Sequence, residues 1–354
     1  MIRFRKGRGI LIASVQGLGD AVQNLPLIQA VCQYAQNRCP VRVLFHARPS
    51  YHLVQQEGLN FTPLFINPDH RGLAGLLRLC WTLRGTTDLI ISAPEISPSK
   101  IALLRWALGS RYVAGEADPP LSRLFSFSVP RDWNKSFLQT QEDLASLLGL
   151  PVPLGLPSIT ITAQEASWAR ELLREAGIDG GPVLGLQCSA AIPDKKWPAE
   201  NFGVVARRLQ EIFPGLSVLS FGVRDEQTDT DRARQAAGSL RWIDGTGKWN
   251  IRQTLAALAA CDLFLSGDTG VMHMAAAVGT KTLSVFGPTS PARRAPFLQG
   301  GLALAPNTSC HPCYRRKWRG CSCIRLVNVE SVTALAEGAL LECGACVKRF
   351  EPTV

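Results

Sequence analysis

The sequence predicts an α/β protein built from two Rossmann-like domains in series. Short apolar β-type runs alternate with helical patterns along the chain, and the alternation starts again after a stretch rich in proline and glycine near the middle. Alternation of strands and helices implies parallel sheets. A chain of 354 residues is long enough for two domains of ordinary size, each with its own core.

The first half opens with a strand, a glycine turn and a helix. Residues 9–15, "GILIASV", form a short apolar run, and the turn "QGLGD" leads into the helical pattern "AVQNLPLIQAVCQYAQN". Three more strands and a helix between the last two are predicted in this half, in the segments "VRVLFHA", "FTPLFI", "AGLLRLCWTLRG" and "TDLIISA".

The boundary between the domains is expected in residues 147–158, "LLGLPVPLGLPS". This stretch contains three prolines and two glycines, which interrupt both helices and strands. We therefore expect an N-terminal domain over residues 1–152 and a C-terminal domain over residues 153–354.

The second half repeats the pattern after the helical segment "TAQEASWARELLREAGI". Helices are predicted between its strands, and Asn250 is a candidate cap for one of them. The predicted strands of this half lie in "PVLGLQC", "LSVLSFG", "DLFLSGD" and "TLSVFG".

Composition narrows the classes of partner. Lys and Arg total 38 against 28 Asp and Glu, and the net charge of +10 favours anionic partners. The basic residues are not interleaved with aromatic ones, so nucleic acid is not expected. No apolar run is long enough to span a bilayer and no signal peptide is evident, so we expect a cytoplasmic protein whose 11 cysteines stay reduced or bind metal.

Residues 266–279, "SGDTGVMHMAAAVG", place an acid where a strand gives way to a helix of small residues. Such a helix start holds anions in open α/β sheets, because its first N–H groups carry partial positive charge. The amides of Thr269 and Gly270 are therefore candidates to bind a phosphate. Alternatively Asp268 or Thr269 only caps the helix. On the residues alone, His273 is expected to be structural.

Three segments occur in order along the chain: "GLGDAVQNLPLIQAV", "IPDKKWPAENF" and "GDTGVMHMAAAVGTKTLSVFGPTSP". They resemble the motifs of the ADP-heptose heptosyltransferases, glycosyltransferases with the GT-B fold, in which two Rossmann-like domains face a central cleft. The resemblance implies inverting transfer of heptose from ADP-heptose to the lipopolysaccharide inner core, without a metal ion for the chemistry. Peripheral contact with the inner face of the cytoplasmic membrane is then expected.

The resemblance also implies roles on the acceptor side. Asp20 matches the family's general base, and Gly17 and Gly19 let the turn approach the acceptor. The alternative makes Asp20 the N-cap of a helix that begins at Ala21. Cations between about residues 68 and 115 are expected to contact a phosphorylated acceptor, unless they only lie on solvated helix faces: Arg71, Arg78, Arg84, Lys100, Arg105 and Arg111.

On the donor side, the resemblance assigns Lys195 to the diphosphate, with Lys196 as the alternative. Ser189 is the one hydroxyl that precedes this lysine in "CSAAIPDKK". Charged surface is the alternative explanation for the two acids of "FGVRDEQ". The resemblance places the remaining donor contacts on the diphosphate (Thr269, Gly270), the sugar hydroxyls (Asp268, His273), the ribose (Asp225 or Glu226) and the adenine (Trp249).

Six cysteines fall in the last 45 residues, and two of them form the C-x-x-C pair Cys310 and Cys313. Protein-modifying relatives, the autotransporter heptosyltransferases, hold iron on four cysteines in a similar order. This resemblance implies structural iron or zinc on Cys310, Cys313, Cys323 and Cys343, and heptosylation of a surface protein as an alternative function. Packed thiols or a disulfide are the other interpretation. A nucleotide-sugar-binding protein without activity is a further alternative.

Overall fold

The computed structural model describes residues 4–313 and 322–343, apart from residues 16, 57, 68, 71 and 179. The chain divides into two compact units, Met1–Pro157 and Ser158–Val354. Each unit contains one parallel six-stranded sheet with helices between its strands. Within the described ranges, no helix is long and apolar enough to cross a bilayer.

The N-terminal sheet has the strand order β3-β2-β1-β4-β5-β6. The chain therefore builds outward from β1 in one direction and then returns to place β4 on its other side. Ligands bind beyond the carboxyl ends of the strands at such a point. The elements of this unit are β1 (Gly9–Ser14), α1 (Leu18–Ala35), β2 (Val41–Ala47), α2 (Arg48–Val54), β3 (Thr62–Asn67), α3 (Gly72–Leu83), β4 (Thr87–Ser92), α4 (Pro98–Leu108), β5 (Tyr112–Glu116), β6 (Phe127–Val129) and α5 (Phe137–Leu148).

The C-terminal sheet has the order β12-β11-β10-β7-β8-β9, which is the same topology counted from its own first strand. Its reversal point lies between β7 and β10. The elements of this unit are α6 (Ala163–Glu175), β7 (Val183–Gln187), α7 (Ala199–Ile212), β8 (Ser217–Ser220), α8 (Gln227–Ala237), β9 (Arg241–Asp244), α9 (Ile251–Ala259), β10 (Leu263–Gly267), α10 (Gly270–Ala277), β11 (Lys281–Val285), α11 (Pro291–Arg294), β12 (Leu302–Leu304) and α12 (Val329–Glu342).

These observations confirm the predicted class of two Rossmann-like α/β domains with parallel sheets. Each strand predicted from an apolar run is present, and Asn250 caps α9 by accepting hydrogen bonds from the amides of Arg252 and Gln253 at 3.0 and 2.9 Å. Strands β6 and β12, of three residues each, give no sequence pattern, and β9 has charged residues at both ends.

A buried polar network fixes the start of the N-terminal unit. Asn24, fully buried on α1, donates to the hydroxyl of Ser14 at 2.9 Å. Gln141 of α5 in turn donates to the amide oxygen of Asn24 at 2.7 Å. Because Ser14 ends β1, these bonds tie two helices to the carboxyl end of the central strand and so position the turn between β1 and α1.

We expect Asn24→Ala to lower the free energy of unfolding of this unit by roughly 2–4 kcal/mol, because it leaves buried groups of Ser14 and Gln141 without their partner. Urea denaturation checks this. The matched control Gln33→Ala changes an exposed residue of the same helix and should shift stability by less than about 0.5 kcal/mol. Equal effects of the two substitutions would contradict the role of the network.

Candidate functional site

Asp268 lies directly after β10, at the point where the C-terminal sheet reverses its order. Its side chain is buried. The carboxylate oxygen Oδ2 accepts a hydrogen bond from Nζ of Lys195 at 2.5 Å and another from the hydroxyl of Thr289 at 2.7 Å. The Lys195 side chain is itself only 12% exposed, so the two residues form a buried ion pair.

Burial by itself raises the pKa of the Asp268 carboxyl, but the surrounding charges and hydrogen bonds outweigh it and hold that pKa below its usual value. The charges are those of Lys195 and Arg294, and the hydrogen bonds come from Lys195 and Thr289. Asp268 is therefore ionised at neutral pH. The charges of two cations thus act on this one carboxylate.

Thr269 occupies the N-cap position of α10 with an extended backbone. Among the described contacts its hydroxyl caps no amide of the helix; it donates instead to the side-chain oxygen of Gln187 at 2.6 Å. Gln187 ends β7, so this bond joins the two strands that flank the reversal point. The first amides of α10, from Gly270 onward, have no carbonyl partner within the helix and carry its partial positive charge.

The two adjacent lysines reach different carboxylates. Lys195, at the end of a short helical turn, pairs with Asp268, whereas Nζ of Lys196 donates to Asp229 of α8 at 2.8 Å. The hydroxyl of Ser189 donates to the same oxygen of Asp229 at 2.7 Å. Burial raises the pKa of Asp229, but the hydrogen bonds from Lys196 and Ser189 outweigh burial and hold that pKa below its usual value. Of the two lysines, Lys195 lies at the start of α10, beside Asp268, and Ser189 is grouped with Lys196.

Two glycines allow the Lys195 turn to lie against the sheet. A Cβ atom on Gly267 would approach the backbone oxygen of Lys195 to 3.2 Å, and one on Gly287 would lie 2.9 Å from the backbone oxygen of Asp194. A side chain at either position would push the turn away from Asp268. The glycines are therefore part of the site even though they carry no chemistry.

The acids proposed for the ribose differ in placement. Asp225 is exposed, whereas Glu226 is half-buried and its carboxylate accepts from the amide of Val223 at 3.0 Å. The side-chain nitrogen of Gln187 lies 3.4 Å from the same carboxylate oxygen, so Gln187 connects Glu226 to Thr269.

Trp249 is half-buried and packs edge-on against Phe221 and Trp168, with ring centroids 5.4 and 6.0 Å apart. A Cβ on Gly245 would lie 2.3 Å from its ring, so the glycine lets the indole rest on the backbone. The indole that the resemblance assigned to the adenine is thus fixed beyond the carboxyl end of β9.

His273 lies on the first turn of α10 and is buried. Burial is the main cause that lowers the pKa of its imidazole to about 3; the charge of Asp268 opposes this shift, and the charges of Arg294 and Lys195 add to it. The side chain is therefore neutral at physiological pH and suits hydrogen bonding rather than ion pairing.

The structure corrects the alternative role of Asp20. Helix α1 begins at Leu18, not Ala21, so Gly17 is the N-cap residue and Asp20 lies in the first turn. The Asp20 carboxylate accepts from the Gly17 amide at 3.1 Å. Gly17 has a φ of −73° and room for a Cβ, so its backbone does not require glycine, and Gly19 is buried within the helix.

The four cysteines of the expected metal site do not come together. Sγ of Cys343 donates to the backbone oxygen of Asp262, before the start of β10, while the amide of Cys313 donates to Pro288, beyond the end of β11. Because β10 and β11 pair in register, these two edges are about 16 Å apart. No three His, Cys, Asp or Glu residues within the described part of the chain form a group that could hold a metal. Cys321 and Cys346 lie outside the described residues.

Sequence reasoning missed four partners in this site: Gln187, Asp229, Thr289 and Arg294. Thr289 is the last residue of the "FGPT" segment already quoted, which is a signal that could have identified it. Gln187 is the polar end of an apolar strand, where parallel sheets present ligand contacts. Arg71, one of the expected acceptor-side cations, lies outside the described residues.

The low pKa of His273 predicts a loss of stability in mild acid. Below about pH 6.5 the unfolded chain binds a proton on this imidazole that the folded chain does not bind until about pH 3. Folding should therefore lose about 2 kcal/mol between about pH 7.5 and 5 from this group alone. Urea midpoints measured at both pH values should show a smaller difference in His273→Asn.

The matched control His46→Asn changes an exposed histidine of the other unit and should retain the dependence on pH. If His273→Asn and the unmodified chain lose stability equally over this range, the imidazole is not buried in its neutral form.

Comparison of the sequence with known proteins identifies a family that includes the residues of this site. A model of glycosyltransferase family 9 (heptosyltransferase) matches residues 76–320, more than half of the chain. The lipooligosaccharide heptosyltransferase 2 of Haemophilus influenzae is 30% identical over 234 residues, which cover 60% of this chain and 64% of that relative. The chain thus matches less than two thirds of the length of that relative.

Solved structures show the same fold. A family 9 glycosyl transferase from Veillonella parvula superposes with a TM-score of 0.77 at 19% identity, over 96% of this chain and 99% of that one. The ADP-heptose lipopolysaccharide heptosyltransferase II of E. coli gives a TM-score of 0.67 at 19% identity, over 95% and 99%. The family match, which includes Lys195, Asp268 and Thr289, leads to one conclusion: the chain belongs to glycosyltransferase family 9, the heptosyltransferases.

Proposed function

We propose that this chain transfers heptose from ADP-heptose to a hydroxyl of the lipopolysaccharide inner core, with inversion at the anomeric carbon. The family and the similarity to lipooligosaccharide and lipopolysaccharide heptosyltransferases support the substrate class. The observation that carries the proposal is the buried Lys195–Asp268 pair at the N-terminus of α10, because it fixes an ammonium, with the Arg294 charge nearby, where a diphosphate leaving group would need a cation.

In this proposal the diphosphate lies against the start of α10. The amides of Thr269 and Gly270 donate to its oxygens, and Lys195 and Arg294 supply positive charge. The Lys195 ammonium is held by its bond to Asp268 and, in this proposal, also donates to the phosphate oxygens. Asp268 positions the ammonium and is held ionised for that purpose.

These groups act on the step that breaks the bond between the anomeric carbon and the diphosphate. Negative charge builds on the departing ADP, and fixed cations in a buried site stabilise that charge strongly. We propose that Lys195, Arg294 and the helix N-terminus perform this task in place of a divalent metal.

The rest of the donor is assigned by position. We propose that the ribose lies near Glu226, which is held by the Val223 amide, in preference to the exposed Asp225. The adenine lies beside Trp249, whose ring is held by its aromatic neighbours. The neutral imidazole of His273 and the carboxylate of Asp268 are assigned to sugar hydroxyls, and Ser189 to the surroundings of Lys196.

We propose that Asp20 is the general base. Its carboxylate lies on the first turn after β1, at the carboxyl edge of the N-terminal sheet beside the reversal point. It takes the proton of the acceptor hydroxyl as that oxygen bonds to the anomeric carbon. Because this acceptor is anchored in a bilayer, we propose that the chain works at the inner face of the cytoplasmic membrane.

Asp20→Asn tests the activity and the base together. The amide retains an oxygen that can accept from Gly17, so the turn should stay folded. Acceptor-dependent release of ADP should fall by on the order of 10²–10⁴-fold, whereas ADP-heptose binding should stay within about twofold. A coupled assay for ADP, with heptose-free lipopolysaccharide as acceptor, measures the first and calorimetry the second.

The control Asp143→Asn changes an exposed carboxylate of the same unit and should leave ADP release unchanged. Equal activity of Asp20→Asn and the unmodified chain would reject Asp20 as the base. Binding of ADP-heptose without any acceptor-dependent ADP release in the unmodified chain would instead indicate a nucleotide-sugar-binding protein without activity.

A second prediction separates the two lysines. Lys195→Gln should lower kcat/KM by about 10²–10³-fold and weaken ADP binding, because it removes a charge from the diphosphate site. Lys196→Gln, which breaks the bond to Asp229, should lower kcat/KM by less than about threefold. Larger loss from Lys196→Gln would move the diphosphate to the other lysine.

Lys195→Gln also leaves the buried Asp268 charge without its strongest partner and should destabilise the chain by about 3–5 kcal/mol. The double variant Lys195→Gln, Asp268→Asn keeps a neutral hydrogen bond and should recover stability but not activity. Recovery of activity in the double variant would show that the lysine acts only through the fold.

A further inference from the structure

Helices α3 and α4 expose large apolar side chains on adjacent outer surfaces. Trp81 and Trp106 are 79% and 80% exposed. Soluble monomers rarely expose a contiguous apolar patch larger than a few hundred Å² without a binding role. We call this surface the α3–α4 face, and its exposed apolar residues are Leu73, Leu76, Leu77, Trp81, Leu103 and Trp106.

The two outer surfaces lie side by side. Leu79 and Leu83 of α3 are buried in one hydrophobic cluster with Ile101 and Leu108 of α4, so both helices pack on the same core, and they also contact each other. On α3 the exposed residues 73, 77 and 81 recur every four positions, which places them along one stripe opposite the core.

A short helical turn, Leu121–Leu124, extends the face. It packs against α4, and the guanidinium of Arg105 donates to the backbone oxygen of Leu124 at 2.9 Å. Leu121 and Leu124 are exposed as well. The apolar surface is therefore held by three connected segments, which makes it a fixed feature of the fold.

The charged residues within the three segments are all cations. Arg78, Arg84, Lys100 and Arg123 are exposed on or beside the three segments. The segments Gly72–Leu83, Pro98–Leu108 and Leu121–Leu124 contain no aspartate or glutamate. Segments that combine exposed tryptophan and leucine with cations and contain no acid have the composition of surfaces that lie in the interface of an anionic bilayer.

We propose that the α3–α4 face docks the N-terminal unit on an anionic phospholipid bilayer. The tryptophan and leucine side chains enter the boundary between headgroups and acyl chains, and the cations contact lipid phosphates. The inference rests on the proposed function for one point only: docking brings the unit that carries Asp20 to the membrane that holds the proposed acceptor. Binding to vesicles without any sugar tests the surface separately from transfer.

The full chain is mixed with vesicles of phosphatidylcholine alone or with about one third phosphatidylglycerol, and bound protein is measured by flotation. The unmodified chain should bind the anionic vesicles at least about tenfold more strongly than the neutral ones, with binding weakened by salt. Trp81→Ser with Trp106→Ser should reduce binding to anionic vesicles about tenfold or more. Arg78→Gln with Lys100→Gln should reduce it about 25-fold.

Matched controls remove exposed residues of the same kinds elsewhere: Leu326→Ser with Leu341→Ser, and Arg207→Gln with Arg234→Gln. These should bind as the unmodified chain does. With a delipidated, water-soluble acceptor, the tryptophan variant should keep full activity, so loss of transfer there would mean damage to the fold and overturn the proposal.

Equal binding to neutral and anionic vesicles, or binding that the controls reduce as much as the face variants, would overturn the proposal. So would self-association of the unmodified chain that the tryptophan variant abolishes, since a second copy would then cover the face. Vesicle binding without transfer activity would instead reject the proposed function and leave the docking surface standing.

Discussion

The ion pair between Lys195 and Asp268 is the interaction on which the rest of the candidate site depends. A buried carboxylate without a partner is costly, so the chain must bring a cation to the end of β10. It does so with a short turn that Gly267 and Gly287 admit close to the sheet. The same requirement explains why Thr289 completes the hydrogen bonding of the carboxylate.

The parallel topology determines where such a pair can act. Both sheets reverse their strand order beside the first strand of the unit, and both place a polar turn and a helix N-terminus there. The two units use the position differently. In the C-terminal unit it brings Lys195 and the Arg294 charge to Asp268, as the proposed diphosphate donor requires. In the N-terminal unit it presents the Asp20 carboxylate, near the buried hydrogen bonds of Asn24, for the proposed role of base.

Local patterns predicted the features that depend on neighbouring residues. Apolar runs identified the main strands, Asn250 was identified as a helix cap, and the placement of Asp268 at a strand end followed from the helix that comes after it. The partners of these groups were not predictable in the same way. Gln187 and Thr269 are 82 positions apart and Ser189 and Asp229 are 40 apart, so only the folded sheet brings them together.

Other expectations also depended on contacts between distant parts of the chain. The resemblance grouped Cys343 with the cysteines near residue 310, whereas α12 carries Cys343 to the opposite edge of the sheet. The first turn of α1 begins earlier than its apolar pattern because Leu18 favours a helix and a single glycine, Gly19, costs the helix only about 1 kcal/mol. The sequence also does not predict that Trp81 and Trp106 are exposed, because it does not show which side of α3 or α4 packs on the core.

The most direct test of the central claim compares the affinities of ADP and adenosine for the unmodified chain by titration calorimetry. If the start of α10 and Lys195 hold the diphosphate, ADP should bind at least about a hundredfold more tightly than adenosine, and added salt should reduce the difference. Equal affinities would show that the diphosphate gains nothing from these cations, and would contradict the assignment of Lys195 and Asp268 to the donor site.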